Sequence, residues 1–269
     1  MKTWQKYYKS FTLSIQSAME YRIDFFLNIL SGISIIIVQS FLWTAIFENT
    51  NQETIYSYTY AQMLSYTIMA GIVSKLVSAG FERQIAVDIK NGGLSKFLVQ
   101  PISYVYYRIF VFLGRKFYQG GFILLACLLV FFFGNVFFKF GLNVQNILVV
   151  IIPMILSIVL NFFIYYCLSS ITFWMTEVSV LYFGINVITA VLSGAYFPLD
   201  IFGNTFLKVL SCLPFKYTIY FPLNILVGKI ESRGILLGIM IQMLWIIALS
   251  LLSKFIWKAG MKKYISVGG

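Results

Sequence analysis

The chain has no histidine and only nine acidic residues among 269. Without histidine there is no imidazole metal ligand, no histidine general base and no serine-histidine-aspartate triad. The acids are scattered along the chain, so the clustered carboxylates of an acid–base enzyme are missing as well. Three cysteines, Cys127, Cys167 and Cys212, lie far apart with no CxxC pair. That pattern indicates neither a disulfide framework nor a metal site. Nor is there a phosphate-binding G-x-x-x-x-G-K-[ST] loop. The one Gly-Lys pair, Gly228-Lys229, is followed by Ile230, so the chain is not expected to hydrolyse ATP, to bind a cofactor or metal, or to be an enzyme.

Charge of either sign is scarce at 11%, against roughly a quarter in ordinary globular domains. In its place 60% of residues are hydrophobic and mean hydropathy is +0.86. Apolar runs of about twenty residues recur, the length that crosses a bilayer as a helix. The expected fold class is an all-α integral membrane protein, one transmembrane domain over 1–269. Six transmembrane helices are expected at 25–47, 59–79, 116–138, 146–171, 178–197 and 235–257. The first apolar run starts near Phe25, is long enough to span, and lacks a small-residue cleavage site, so no cleavable signal is expected. Residues 1–22 place Trp4, Tyr8, Phe11, Ile15 and Met19 at helical spacing with Lys6, Lys9, Gln16 and Glu20 at polar positions. That pattern suits an amphipathic helix at the membrane surface; it is also compatible with a plain lead-in to the first span. Asn28, Gln39, Asn161, Asn186 and Gln242 fall inside spans, where uncharged polar groups bind neighbouring helices or face water. Asn28, Gln39, Ser74 and Asn186 are candidates for lining a pathway.

Net charge is +11. Its distribution points to topology rather than to nucleic acid. Fourteen Lys and Arg residues fall on one side, in the N-terminal segment, the loop after span 2 and the C-terminal end, against five on the other (Lys139, Lys208, Lys216, Lys229, Arg233). The richer side is cytoplasmic by the positive-inside rule, which puts both termini there. The segment 198–234 carries short apolar stretches punctuated by Pro198, Gly203, Pro214, Pro222 and Gly228. Stretches of ten to fourteen apolar residues between breakers read as a re-entrant helical pair entering from outside, or as a folded external loop.

The cytoplasmic loop 80–110 contains the polar interruption DIKNGGLSKFLVQP. Phe81, Ile85 and Ile89 recur every four residues, with Glu82, Arg83, Asp88 and Lys90 on other faces, which predicts an amphipathic helix. Asn91-Gly92-Gly93 stops it, Leu94, Phe97 and Leu98 mark a second short turn, and Pro101 ends that. Periodicity alone leaves open whether this element lies on lipid headgroups or is a peg gripped by another protein.

Three stretches, DIKNGGLSKFLVQPIS at 88–103, LSGAYFPLDIFG at 192–203 and LPFKYTIYFPLNILVGK at 213–229, resemble in order and position the membrane subunits of type-2 ATP-binding-cassette (ABC) exporters. The likeness is to a bacterial branch whose permeases come in pairs, with the loop pattern I-x-x-G-x-(L/I)-x-x-x-L-x-x-P-(L/I), and it covers nearly the whole chain. It implies a cell-membrane permease that forms the pathway with a second permease, a diverged paralogue or a second copy. Separate ATPase subunits, two copies, would carry ATP and Mg. It implies that Phe81 to Leu98 is the coupling helix, with Glu82, Arg83, Asp88 and Lys90 as polar contacts. Ile85, Ile89 and Phe97 would seat against the ATPase or the permease's own surface helix. Gly92, Gly93, Leu94 and Leu98 belong to the same element. It implies too that Pro198, Leu213, Pro214, Phe215 and Pro222 belong to a segment closing the outer end. The implied substrate is a peptide, a drug or a lipid-like amphiphile. Rival readings are an ion-gradient transporter, for which the only candidates for an ionisable group in mid-membrane are Lys75 and Glu177, both close to the expected cytoplasmic ends of spans, and a non-transporting membrane partner.

Overall fold

The computed structural model describes residues 3–50, 52–56, 58–138, 143–175 and 178–264. Within these, the side chains of Thr3, Asp24, Phe25, Asn28, Leu98, Leu124 and 126–138 lie outside the described ones. The architecture is helical. In chain order it runs α1 (Thr3–Glu20), α2 (Arg22–Thr50), a two-residue antiparallel ladder pairing Thr54–Ile55 with Tyr58–Thr59, and α3 (Tyr60–Val77). Next come α4 (Glu82–Lys90), α5 (Ser95–Val99), α6 (Tyr104–Phe138), α7 (Val144–Ser170) and α8 (Ser179–Ser193). Last are α9 (Gly203–Ser211), α10 (Tyr220–Leu226) and α11 (Ser232–Met261), with single 3₁₀ turns at Ile171–Phe173, Leu199–Phe202 and Phe215–Tyr217.

Local sequence explains where several helices start and stop. Thr59-x-x-Gln62 is a capping box: the Thr59 hydroxyl accepts from the Gln62 amide at 3.3 Å, and the Gln62 side chain accepts from the Thr59 amide at 3.0 Å. Asn143 caps α7 through the Gln145 amide at 3.1 Å. Gly194 ends α8 at φ +79°, where a side chain would be strained and a Cβ would meet the Tyr66 hydroxyl at 2.8 Å.

Among the described residues, four helices, those built on α2, α3, α7 and α11, are long and apolar enough to cross a bilayer, or five if the bent pair Leu199–Ser211 and Phe215–Leu226 counts as one. The expected six therefore rest also on α6 and α8. With 35 residues, α6 reaches ~52 Å. It starts at Tyr104, so the end of the supposed loop 80–110 is already its first turns. The span expected at 178–197 is shorter than it looked. Because Gly194 turns the chain, α8 has 15 residues and ~22 Å, less than the roughly 30 Å of a hydrocarbon core. Beyond it, the pair at 199–226 bends by 105° and packs Leu199, Leu210, Ile219 and Leu223 against Tyr66, Ala70 and Val73 of α3. This is the helical pair expected in 198–234.

In an apolar layer, close packing and hydrogen bonds rather than hydrophobic transfer hold helices together. Gly71 lets Ile36 of α2 approach α3, and a Cβ there would come 2.7 Å from it. Asn161 of α7 donates to the Val77 carbonyl at 2.8 Å. Gln242 of α11 donates to the carbonyls of Pro153 (3.1 Å) and Tyr217 (2.9 Å) and to the Ser157 hydroxyl (3.0 Å). One buried amide thus joins α11, α7 and the bent pair. At the α4 end, α1 packs along α6: Tyr7 stacks on Phe110 at 5.6 Å, and the Ser14 hydroxyl donates to the Val111 carbonyl at 2.7 Å. Of the expected stripe, Trp4, Tyr8 and Met19 are exposed, while Phe11 and Ile15 are half-buried.

Candidate functional site

Phe81 to Leu98 forms the two short helices that periodicity predicted, and the Gly-Gly pair separates two duties. Gly92 takes φ +73°, while a Cβ on Gly93 would come 3.1 Å from the Asp88 Cα. The first glycine supplies a left-handed turn and the second a close approach. The apolar stripe, however, faces inward. Phe81, Ile85, Ile89 and Leu94 are buried with Tyr104 and Phe112 of α6 and Phe162 and Tyr166 of α7. Half-buried Phe97 packs edge-on against Tyr104 at 4.9 Å. The expectation that Ile85 and Ile89 seat on a partner or on the surface helix is therefore corrected. Aromatic ends of α6 and α7 provide a nearer apolar surface. The Leu98 side chain lies outside the described ones.

Asp88 also turns inward. It pairs with buried Arg108 and accepts the Tyr104 hydroxyl at 2.7 Å. Arg108 further donates through Nε to the Tyr104 oxygen at 2.8 Å and through Nη1 to Gln84 Oε1 at 3.1 Å. Such a buried, hydrogen-bonded pair is costly to break from one side. It clamps α4 to the first turn of α6. Glu82 and Lys90 are half-buried, whereas Arg83, Val87 and Asn91 are exposed. These three share the face opposite 81/85/89, continued beyond the turn by exposed Lys96 and Val99. Sequence reasoning missed Val87 and Val99. The four-residue spacing 83/87/91 was the available signal for Val87.

The pathway candidates do not converge. Gln39 on α2 and Ser74 on α3 are both half-buried. Gly32 faces Lys75 and Gly71 faces Ile36, a register that sets Gln39 and Ser74 about two turns apart. Asn186 of α8 accepts the Tyr165 hydroxyl of α7 at 2.6 Å, a bolt between two helices. The Asn28 side chain, Lys139 and Glu177 lie outside the described residues. Half-buried Lys75 lends its carbonyl to the ammonium of buried Lys116 at 3.1 Å.

At the opposite end of α3, Pro198, Pro214 and Pro222 are buried, and Leu213 and Phe215 are half-buried. Pro222 occupies the first turn of α10, where its missing N–H would have no helical partner anyway. Nearby Asp200, unremarked in the sequence, organises this end. It accepts the hydroxyls of Tyr58 (2.5 Å) and Tyr220, and Lys229 lies 3.7 Å away. The Lys229 ammonium also sits over the Tyr58 ring, 3.5 Å from its centroid. Burial first, then the bond to Asp200, pushes the Tyr58 hydroxyl well above its ordinary range, so it stays a donor. Burial pulls Lys229 down, opposed in part by Asp200.

A family model described as ABC-2 family transporter protein matches residues 33–268, from within α2 onward. No curated protein and no solved structure matches the chain. On this match and its long apolar helices, the chain belongs to the ABC-2 transporter family and is a multi-pass membrane permease component of an ABC transporter.

Proposed function

We propose that this permease carries a peptide, drug or lipid-like amphiphile out of a bacterial cell. Its drive is ATP hydrolysed with Mg in two partner ATPase subunits, and it shares the pathway with a second, diverged permease. In this reading the α4–α5 element is the coupling element and lies in the cytoplasm with both termini. The arrangement of the ends supports this: the Tyr7 hydroxyl accepts the Ser103 amide at 3.0 Å, and Tyr264 bonds Ser95 at 3.1 Å. The N-terminal helix, the C-terminal segment and the loop are therefore gathered at one end.

The observation that carries the reading is the two-faced α4. One face is sunk into the permease and the other, Arg83, Val87 and Asn91, is presented outward. An ATPase that grips the outer face moves the buried face with it, and the Asp88–Arg108 clamp passes that movement to α6. Differential binding of this face by two ATPase states biases the permease between two conformations. At the far end the bent pair at 199–226, with Pro198, Leu213, Pro214, Phe215 and Pro222, closes the outer mouth.

The test is copurification of the tagged permease from its native membrane. Wild type brings down an ATPase and a second permease, and Arg83→Ala/Val87→Asp loses the ATPase while remaining folded. An ATPase retained undiminished by that variant, or absent from wild type under gentle extraction, overturns the reading.

A further inference from the structure

A cavity of about 430 Å³ opens between the bent pair and the start of α11, lined by Lys216, Lys229, Asp200, Phe221, Leu237 and Ile241 among others. Its size falls in the range of small-molecule sites, roughly 300–1,000 Å³. Chemically it is two-sided, with charged groups at one end and apolar side chains at the other. Asp200 is already engaged by two tyrosine hydroxyls and Lys229. Lys216 donates to the Ser211 hydroxyl at 2.6 Å and lies 5.8 Å from the Tyr220 ring centroid, and it shares the single carboxylate of Asp200 with Lys229. Each ammonium has three N–H donors, so both retain donors for a further acceptor. The two lysines against one carboxylate leave the cavity with an excess positive charge.

A second observation is the face that continues from the apolar end. Leu237, Met240, Leu244, Ile247 and Leu251 follow one another at spacings of three and four, and all are exposed. They form one continuous apolar stripe running down α11 from the cavity, along a helix long enough to cross the membrane.

We propose that the cavity binds the anionic headgroup of a membrane phospholipid, its phosphate against Lys216 and Lys229 and its acyl chains along the α11 stripe. Charge complementarity selects the headgroup, and the stripe separates a lipid from a free anion. The site lies at the end of α3 remote from α4, and occupancy would hold the bent pair against α11.

The full-length permease in nanodiscs provides the test. Phosphatidylglycerol is compared with phosphatidylcholine by thermal stability and by native mass spectrometry of retained lipid. Wild type gains stability with phosphatidylglycerol. Lys216→Gln/Lys229→Gln loses that gain with about thirtyfold weaker retention, and Lys208→Gln, whose lysine lies outside the cavity lining, keeps it. An equal gain in the double variant overturns the proposal. So does an equal gain with inorganic phosphate added to phosphatidylcholine discs, which would mean that a free anion suffices. Should the double variant fail to fold, a photoactivatable phosphatidylglycerol on wild type decides. Labelling concentrated in 216–251 supports the site, and labelling spread evenly over α2, α8 and α11 overturns it.

Discussion

Replacing Asp88 with alanine separates two roles the same residue could have. If Asp88 anchors α4 internally, its loss leaves the Arg108 guanidinium buried, with only the Tyr104 hydroxyl and Gln84 as polar partners. Removing one member of a buried ion pair costs roughly 3–5 kcal/mol. The Arg108 side chain is 6% exposed and that of Asp88 19%, so the lower end, about 3 kcal/mol, is appropriate. Replacing both partners, Asp88→Ala/Arg108→Met, removes the stranded charge and should recover most of the loss. The coupling measured by the double-mutant cycle should then be about 2 kcal/mol. The assay is unfolding of the purified permease in detergent for wild type, both single variants and the double. Copurification of the ATPase is followed in parallel. Asp88→Ala with unchanged stability but lost ATPase would refute the clamp and restore Asp88 as a direct contact. Additive costs in the double variant would refute it too.

On the outward face, Arg83→Ala should shift stability by no more than about 0.5 kcal/mol while weakening ATPase recovery in a pull-down. Gly194→Ala must place a side chain at φ +79° against Tyr66, and should cost about 1–3 kcal/mol by thermal unfolding. Gln242→Leu removes the shared donor to Pro153, Ser157 and Tyr217, leaving the Tyr217 carbonyl only the Ser157 hydroxyl at 3.0 Å, and should cost about 1–3 kcal/mol, with protease sensitivity rising in 199–226. Asp200→Asn should loosen the tie between Lys229 and the bent pair, read as faster hydrogen exchange in 215–226 with little change in α4.

The hydropathy that made the chain a membrane protein was fully legible, because twenty-residue apolar runs need no tertiary context. So were the breakers. Gly92 and Pro101 act through their own backbone preferences and end helices where they stand, whereas the span expected at 178–197 ran past the turn at Gly194. The two-helix form of 81–99 followed from spacing, and the breakers in 198–234 pointed to a helical pair while leaving a folded loop open. Other features depended on what each face met. Four-residue spacing gave α4 an apolar stripe without saying whether a partner or the chain itself would cover it. The aromatic ends of α6 and α7 decided that, burying Ile85 and Ile89 and leaving Arg83 and Val87 outside. Asp88 reads as a surface charge until Arg108, twenty residues on, folds back onto it. Asp200 looked like any loop acid, since Tyr58 and Tyr220 are 142 and 20 residues away. Sequence by itself determined that the chain is an apolar, helical membrane protein, because hydropathy is a local free energy. Only the tertiary structure decided which charges are spent inside the chain and which face outward, because pairing depends on neighbours that sequence distance conceals.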